Sequence, residues 1–317
     1  MSIVSRRATL GAASLFPGLA AAQAPLRPVT IVVPFPPGGS TDVTARLLAE
    51  RMAPSLGLAV QIENRPGAAT VIGAEYVARS QADGHTVLIS SGSTLTINPH
   101  ILRSIPYRVE DFAPVTLIST LPFAIVARRD GPQSLAELIE RARARPGEIT
   151  YGTNGPSSFN NIAAVLVCEQ LGIRMQDITY RGDAAQVADF LGGRLDLLVV
   201  GGSTGIPMHR DGRGRIIAWT SEARMPGMED VPTVAETRPE AVALTWFGLL
   251  VPARTPRAMV DRLNAAAVGA MRGGDFDARL TAEGQSLIAS SPEQFADFLT
   301  RESNRWGPVL RRMNLQG

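Results

Sequence analysis

Lysine is absent from this 317-residue chain: all 31 basic residues are arginine. That absence removes Schiff-base lysines, the Walker A lysine and the kinase lysine. Pyridoxal-phosphate, lysine-aldolase, P-loop and kinase chemistries are therefore excluded. Cysteine is nearly absent too. The single Cys168 permits no internal disulfide and leaves no thiolate set for zinc. The three histidines, His85, His100 and His209, share no metal-ligand spacing, and neither metal nor cofactor is expected. Aromatic residues make up 5%, and setting aside Arg6 and Arg7 leaves 29 arginines against 29 acidic residues. A neutral, aromatic-poor chain carries no footprint for nucleic acid. The remaining balance, 45% hydrophobic and 19% charged, is that of an ordinary globular protein. The length exceeds the roughly 250–300 residues at which one core stops growing, so two domains are expected.

Long apolar runs are missing except at the start. Met1–Arg7 ends in Arg6-Arg7, and Ala8–Ala22 follows without charge and with many small residues. Ala20-Ala21-Ala22 fits small-x-small processing, so residues 1–22 read as a cleaved export signal. A membrane anchor fits less well, because Pro17 interrupts a short run rich in alanine and glycine. Both the Sec and the twin-arginine routes remain open. The mature protein is expected to be soluble and outside the cytoplasm.

Beyond residue 28, β-branched runs alternate with amphipathic stretches. Strands are expected at Val29–Val33, Leu58–Ile62, Thr86–Ser90, Phe123–Ala127, Ile149–Gly152, Asp177–Tyr180, Asp196–Val200, Ile216–Trp219 and Phe247–Val251. Helices are expected over Thr41–Ala53, Thr70–Arg79, Leu135–Ala144, Asn161–Leu171, Ala184–Leu191, Arg257–Met271 and Pro292–Met313. This alternation argues an α/β architecture with mainly parallel sheets, whose ligands bind at the carboxyl ends of the strands.

Three loops at such ends stand out. Pro34-Phe35-Pro36-Pro37-Gly38-Gly39-Ser40-Thr41-Asp42 joins the first strand to the first helix. Its prolines stiffen it, and its glycines let backbone approach a ligand. The helix behind it presents unpaired N–H groups and about half a positive charge, an anion site without a cationic side chain. A bulky residue in place of Gly39 should then abolish binding. A plain tight turn capped by Ser40 or Thr41 is an equally open reading. Ser90-Ser91-Gly92-Ser93-Thr94 and Asn154-Gly155-Pro156-Ser157-Ser158 also follow strands. Each alone reads as an ordinary loop, but three together make a shared polar cleft more credible.

Gly201-Gly202-Ser203-Thr204-Gly205 matches the G-x-S-x-G pattern of a hydrolase elbow. The match fails on partners: the only later histidine is His209, no acid lies between it and Ser203, and Thr204–Pro207 is a poor helix start. His85 and His100 read as loop residues, Cys168 as a core residue, and Trp246-Phe247 as core packing before cleft lining. No catalytic machinery is found.

Several motifs together resemble a known family. They are Phe35-Pro36-Pro37-Gly38-Gly39-x-x-Asp42, Glu63-Asn64-Arg65-Pro66-Gly67-Ala68, Ile72-Gly73-Ala74, Asp83-Gly84-His85-Thr86, Ile97-Asn98-Pro99, Asp111-Phe112-Ala113-Pro114-Val115, Tyr180-Arg181-Gly182, Asp230–Glu236 and Trp246-Phe247-Gly248-Leu249. In this order they span the mature chain and resemble the Bug family, the periplasmic substrate-binding receptors of tripartite tricarboxylate transporters. The resemblance implies a type II periplasmic binding-protein fold: two α/β domains joined by two crossover strands with a ligand cleft between them. Residues 23–122 and 248–317 would form domain 1 and residues 123–247 domain 2, with crossings near Phe123–Ala127 and Phe247–Val251. It also implies that Phe35, Pro37, Gly38, Gly39, Ser40, Thr41 and Asp42, with Ser91, Gly92 and Ser93, hold one ligand carboxylate, partly through water. Asn154, Ser157, Ser158, Arg181, Gly182, Gly201, Gly202 and Ser203 would face it from domain 2. The chain departs from the family pattern at Asn161, Val165 and Gly201, where relatives often carry His, Glu and Asp. Loss of the acid at Gly201 argues for a small carboxylate without an essential amino group.

The implied function is a monomeric solute-binding receptor that delivers a small organic carboxylate to large and small membrane permease subunits. A receptor that presents its ligand to a membrane sensor kinase is the alternative. An enzyme on the same fold, resting on Ser203 or Cys168, is a third reading.

Overall fold

The computed structural model describes residues 27–313, so the export segment lies outside the described residues. In chain order the elements are β1 (Val29–Val33), α1 (Ser40–Leu56), β2 (Val60–Asn64), α2 (Val71–Ala78), β3 (Thr86–Ser91), α3 (Asn98–Ile101) and β4 (Phe112–Ala127). They continue with α4 (Leu135–Ala144), β5 (Thr150–Thr153), α5 (Phe159–Leu171), β6 (Gln176–Thr179), α6 (Asp183–Leu191), β7 (Leu197–Gly201), α7 (Gly202–Arg210) and β8 (Arg215–Trp219). The chain closes with β9 (Leu244–Pro252), α8 (Arg257–Arg272), α9 (Phe276–Ala282), β10 (Ser286–Leu287) and α10 (Pro292–Met313).

The strands hydrogen-bond in the order β2-β1-β3-β9-β4-β7-β5-β6, with β8 and β10 also pairing β4. β4 organises this arrangement. Its 16 residues pair along Phe112–Pro122 with β9, then along Phe123–Ala127 with β7. One strand therefore belongs to two sheets, and the chain forms two lobes. The outer pairs β1–β2, β1–β3, β5–β6 and β5–β7 are parallel as expected. The pairs of β4 and β9 are antiparallel, which the alternation pattern did not foresee. The reason is topological: a strand that leaves a lobe runs against the one that returns to it.

β4 passes from β9 to β7 at Pro122–Phe123, and β9 pairs β4 from Leu244 onward, so the chain crosses between the sheets at these two places. Buried Thr220 ties the crossings together. Its hydroxyl donates to the Ala243 carbonyl at 2.6 Å and accepts from the Phe123 amide at 2.8 Å, and its own amide donates to the Phe123 carbonyl at 2.9 Å.

Each lobe has its own apolar core, filled by the faces that the helical periodicity marks. In α8, Val260, Leu263, Ala267 and Met271 face the first-lobe core. α10 serves both lobes. Phe295 packs edge-on against Trp246 in the first, with ring centres 5.4 Å apart. Three turns later, Trp306 packs edge-on against Phe159 of the second at 5.1 Å. Two local expectations need correction. His100 lies in α3 rather than in a loop, where burial and the nearby Arg311 hold its pKa down. α1 runs through Pro54 to Leu56 instead of ending at Ala53, since proline removes only one donor from a last turn that Gly57 closes.

Candidate functional site

A cleft of about 520 Å³ opens between the lobes at the carboxyl ends of β1, β3, β5 and β7. Its lining draws on all three loops singled out from the sequence. Phe35, Ser40 and Thr41 come from the first, Ser91 and Ser93 from the second, and Asn154, Ser157 and Ser158 from the third. Arg181, Gly182 and Gly201 complete the expected set that reaches the cleft.

Four helices begin at this cleft, and none of the four has a side-chain cap. α1 starts after Gly39, so neither Ser40 nor Thr41 is the cap that the plainer reading required. α5 starts after Ser158, whose hydroxyl donates instead to the Gly155 carbonyl at 2.6 Å. α6 starts after Gly182 and α7 after Gly201. Away from the cleft, α4 is capped in the ordinary way: Ser134 Oγ accepts from the Glu137 amide at 3.2 Å. Uncapped first turns leave backbone N–H groups without partners, save that in α5 the Asn161 amide donates to Asn160 Oδ1 at 3.0 Å, and each helix adds about half a positive charge. Four such ends converge on one space, and among the described residues Arg181 is the only cationic side chain that lines it. Such an arrangement can take an anion through main-chain dipoles.

The remaining expected residues sit beside or behind the lining. Asp42 is 2% exposed and does not line the cleft. Its carboxylate accepts from the Gly38 amide at 3.0 Å, from Arg46 Nε at 2.9 Å and Nη2 at 3.1 Å, and from Asn64 Nδ2 at 2.8 Å. Burial pushes its pKa up. The hydrogen bonds from Arg46, Asn64 and Gly38 outweigh that effect and hold it below the usual carboxylate range. Asp42 thus fastens the loop from behind. Pro37, Gly38 and Gly39 also lie off the lining. Gly38 has φ +91°, a conformation that needs glycine. Gly39 has φ −81° and open space where a Cβ would go, so the glycine requirement moves to its neighbour.

Gly92, Gly202 and Ser203 occupy lobe contacts. A Cβ on Gly92 would stand 2.6 Å from the Phe159 ring, and one on Gly202 would stand 2.4 Å from the Glu283 carbonyl oxygen. Ser203 Oγ lies 2.9 Å from Ser40 Oγ, which joins the starts of α7 and α1 across the cleft. The strand–helix turn of a nucleophile elbow is therefore present, contrary to the expectation that Thr204–Pro207 would not support a helix. Among the described residues no base reaches Ser203: His209 Nδ1 accepts from the Ile216 amide at 3.0 Å. Cys168 packs against the second-lobe core, and burial pushes its thiol up to about 12.

The sequence reading missed several lining groups. Phe123 and Phe159 form apolar wall together with Phe247, for which cleft lining was the second reading after core packing, while Trp246 stays in the core. Asp183, the first residue of α6, brings an acid into the cleft, and its Oδ1 accepts from Asn154 Nδ2 at 2.9 Å. Its place directly after Arg181-Gly182 was the available signal. Gly67, Ala69 and Thr70 line the first lobe beside Pro66. Among the described residues no cluster of histidine, cysteine and acids could hold a metal ion. No helix there is long and apolar enough to cross a membrane.

Comparison with known proteins places the chain in a family. Residues 44–315 match the model of the tripartite tricarboxylate transporter family receptor. Protein BugT of Bordetella pertussis is 36% identical over 291 residues, 90% of this chain and 89% of its own. An adipate-bound protein of R. palustris superposes with a TM-score of 0.84 at 31% identity, covering 91% of this chain and 98% of that one. MatC from Rhodopseudomonas palustris with bound malate gives 0.81 at 29% identity, covering 90% and 100%. The chain belongs to the tripartite tricarboxylate transporter receptor family, the Bug family of periplasmic solute-binding receptors.

Proposed function

We propose that this chain captures a small organic carboxylate between its lobes and delivers it to the large and small membrane subunits of a tripartite-type transporter. The observation that carries the reading is the convergence of four uncapped helix N-termini on one cleft with a single lining arginine. Serine and threonine hydroxyls and the α1 amides take one carboxylate in the first lobe. Arg181 and the starts of α5, α6 and α7 take the other polar end. The lobes divide at 122/123 and 243/244 and close by bending about the two crossings that Thr220 joins. Residues 1–22 direct export, and the mature receptor works as a monomer. It catalyses nothing, because no base reaches Ser203 and the Cys168 thiol stays protonated.

The adipate and malate held by relatives support the carboxylate class. Asp183 is already engaged by Asn154, so an amino group on the ligand is not required. Calorimetry with malate, adipate, citrate, benzoate and aspartate tests the proposal. We expect an acid without an amino group to bind more tightly than aspartate. A protein that binds none of the five does not fit the carboxylate reading.

A further inference from the structure

A second cavity lies away from the cleft. It measures about 430 Å³ and is lined by Arg129, His209, Gly212, Gly214 and Arg215, none of which lines the cleft. Its place follows from strand register. β4 runs against β7, with Phe123 opposite Gly201 at the cleft and Ala127 opposite Leu197 at the other end. Arg129 follows that end of β4, Arg215 opens β8 opposite Ala127, and His209 lies in the last turn of α7. The cavity therefore sits at the far pole of the second lobe.

The acceptors around it are already used. α7 closes on Gly212 at φ +63°: the Gly212 amide donates to the His209 carbonyl at 3.1 Å, and the Arg213 amide donates to the Met208 carbonyl at 2.8 Å. The Gly212 carbonyl accepts from Arg129 Nε. His209 Nδ1 accepts from the Ile216 amide at 3.0 Å, so the neutral ring carries its proton on Nε2, a donor with no partner among the described residues. The nearby acids are used as well. Asp130 accepts from Arg128 at 2.8 and 3.0 Å, Asp211 from Arg213 at 2.8 Å, and Asp196 from Thr150 at 2.9 Å. Arg129 and Arg215 have no acidic partner among the described residues. Residues 128–130 and 209–215 together hold five arginines against two acids. The end of α7 contributes about half a negative charge, which the two unpaired guanidiniums exceed.

The pocket also has a fixed shape. A Cβ on Gly212 would stand 2.5 Å from Arg129 Nη2, and one on Gly214 would stand 2.7 Å from Val126 Cγ1. With its Nε held by Gly212, the Arg129 guanidinium is oriented and keeps both Nη groups for a ligand.

We infer that this pocket is a second anion site, which takes a small free tetrahedral oxyanion of the phosphate or sulfate class on Arg129, Arg215 and the Nε2–H of His209. Such an ion offers four oxygens and up to two negative charges to these donors, where a single carboxylate offers two oxygens and one charge. A concave site suits a free ion better than a flat lipid surface. The inference does not depend on the carboxylate reading, because the two sites share no lining residue.

The experiment titrates inorganic phosphate and sulfate, each in chloride buffer, into the wild-type protein by calorimetry. At least one of them should bind saturably. Arg129→Ala and Arg215→Ala should each weaken it at least tenfold. Arg213→Ala removes the same charge from the same turn but outside the lining, and should stay within threefold of wild type. Equal losses in all three variants would mean diffuse attraction and overturn the inference. Binding that Arg129→Ala and Arg215→Ala both retain puts the ion elsewhere and overturns it too. Should Arg129→Ala fail to fold, the exposed Arg215 decides alone: unchanged affinity in Arg215→Ala refutes the site. Wild-type protein that takes up neither ion at about 20 mM also refutes it. Association with phosphatidylglycerol vesicles or with a hexa-aspartate peptide, without uptake of either free ion, identifies a docking face and overturns the inference. A failure of malate and adipate to bind would leave each of these outcomes readable.

Discussion

Asp42 offers a sharp test of how the anion loop is built. Asp42→Asn keeps the shape of the side chain but replaces one acceptor oxygen by a donor NH₂. Four donor contacts now converge on the carboxylate, two on each oxygen. At least two of them would face the new NH₂. Hydrogen bonds to a charged group contribute about 1.5–3 kcal/mol each, and Arg46 is half-exposed, so solvent screens its share. A net loss of roughly 2–4 kcal/mol is expected, a fall in Tm of about 4–10 °C for a chain of this size. Carboxylate affinity should fall with it, since the Gly38 amide is released. Differential scanning calorimetry and titration of the same samples measure both. The dependence on pH provides a second arm. The folded state depresses the Asp42 pKa, so its stabilisation is complete at neutral pH and is lost as the pH falls below about 4 toward the folded value. The wild type should lose that increment on acidification and Asp42→Asn should not. A variant with wild-type Tm but no binding would mean that Asp42 touches the ligand directly, and the account of a rear fastening would be wrong.

Other outcomes follow from the same geometry. Gly38→Ala must place a side chain at φ +91°, which costs about 1–2 kcal/mol and should weaken binding about tenfold, whereas Gly39→Ala should bind within a few-fold of wild type. Equal titration curves for the two would contradict the assignment of the glycine requirement. Gly202→Ala drives a methyl into the Glu283 carbonyl, so the lobes must shift apart; we expect Tm to drop by several degrees and small-angle scattering to show a larger radius. Trp306→Ala removes a fully buried indole that joins α10 to the second lobe, and about 3–5 kcal/mol of stability should go with it in urea denaturation. Arg181→Ala should weaken adipate and malate more than benzoate, because on the proposed reading the single carboxylate of benzoate would sit in the first lobe.

Much of this molecule is legible without coordinates. Alternating apolar runs locate most elements, Leu135–Ala144 and Pro292–Met313 to the residue, because burial of one face acts over a single turn or pleat, but they miss α3, α7, α9, β10 and the Phe112–Pro122 part of β4. The absence of lysine and of paired cysteines excludes whole chemistries outright. The proline–glycine segment before α1 allows an anion site on local geometry alone, with a plain turn equally open at that level. Helix capping is harder to read: Ser40 or Thr41 suggests a cap, yet α1 starts after Gly39 and the Ser40 hydroxyl pairs with Ser203.

What only the tertiary structure decided are the relations between distant segments. Ser40 meets Ser203 across 163 positions of sequence, and Thr220 ties Phe123 to Ala243. Neither pairing leaves a trace in local propensity. The same holds for the convergence of four helix starts and the shift of the glycine requirement from Gly39 to Gly38. Residue preferences report on the nearest few neighbours. The cleft is fixed by how β4 passes through both sheets, and that is a property of the whole fold.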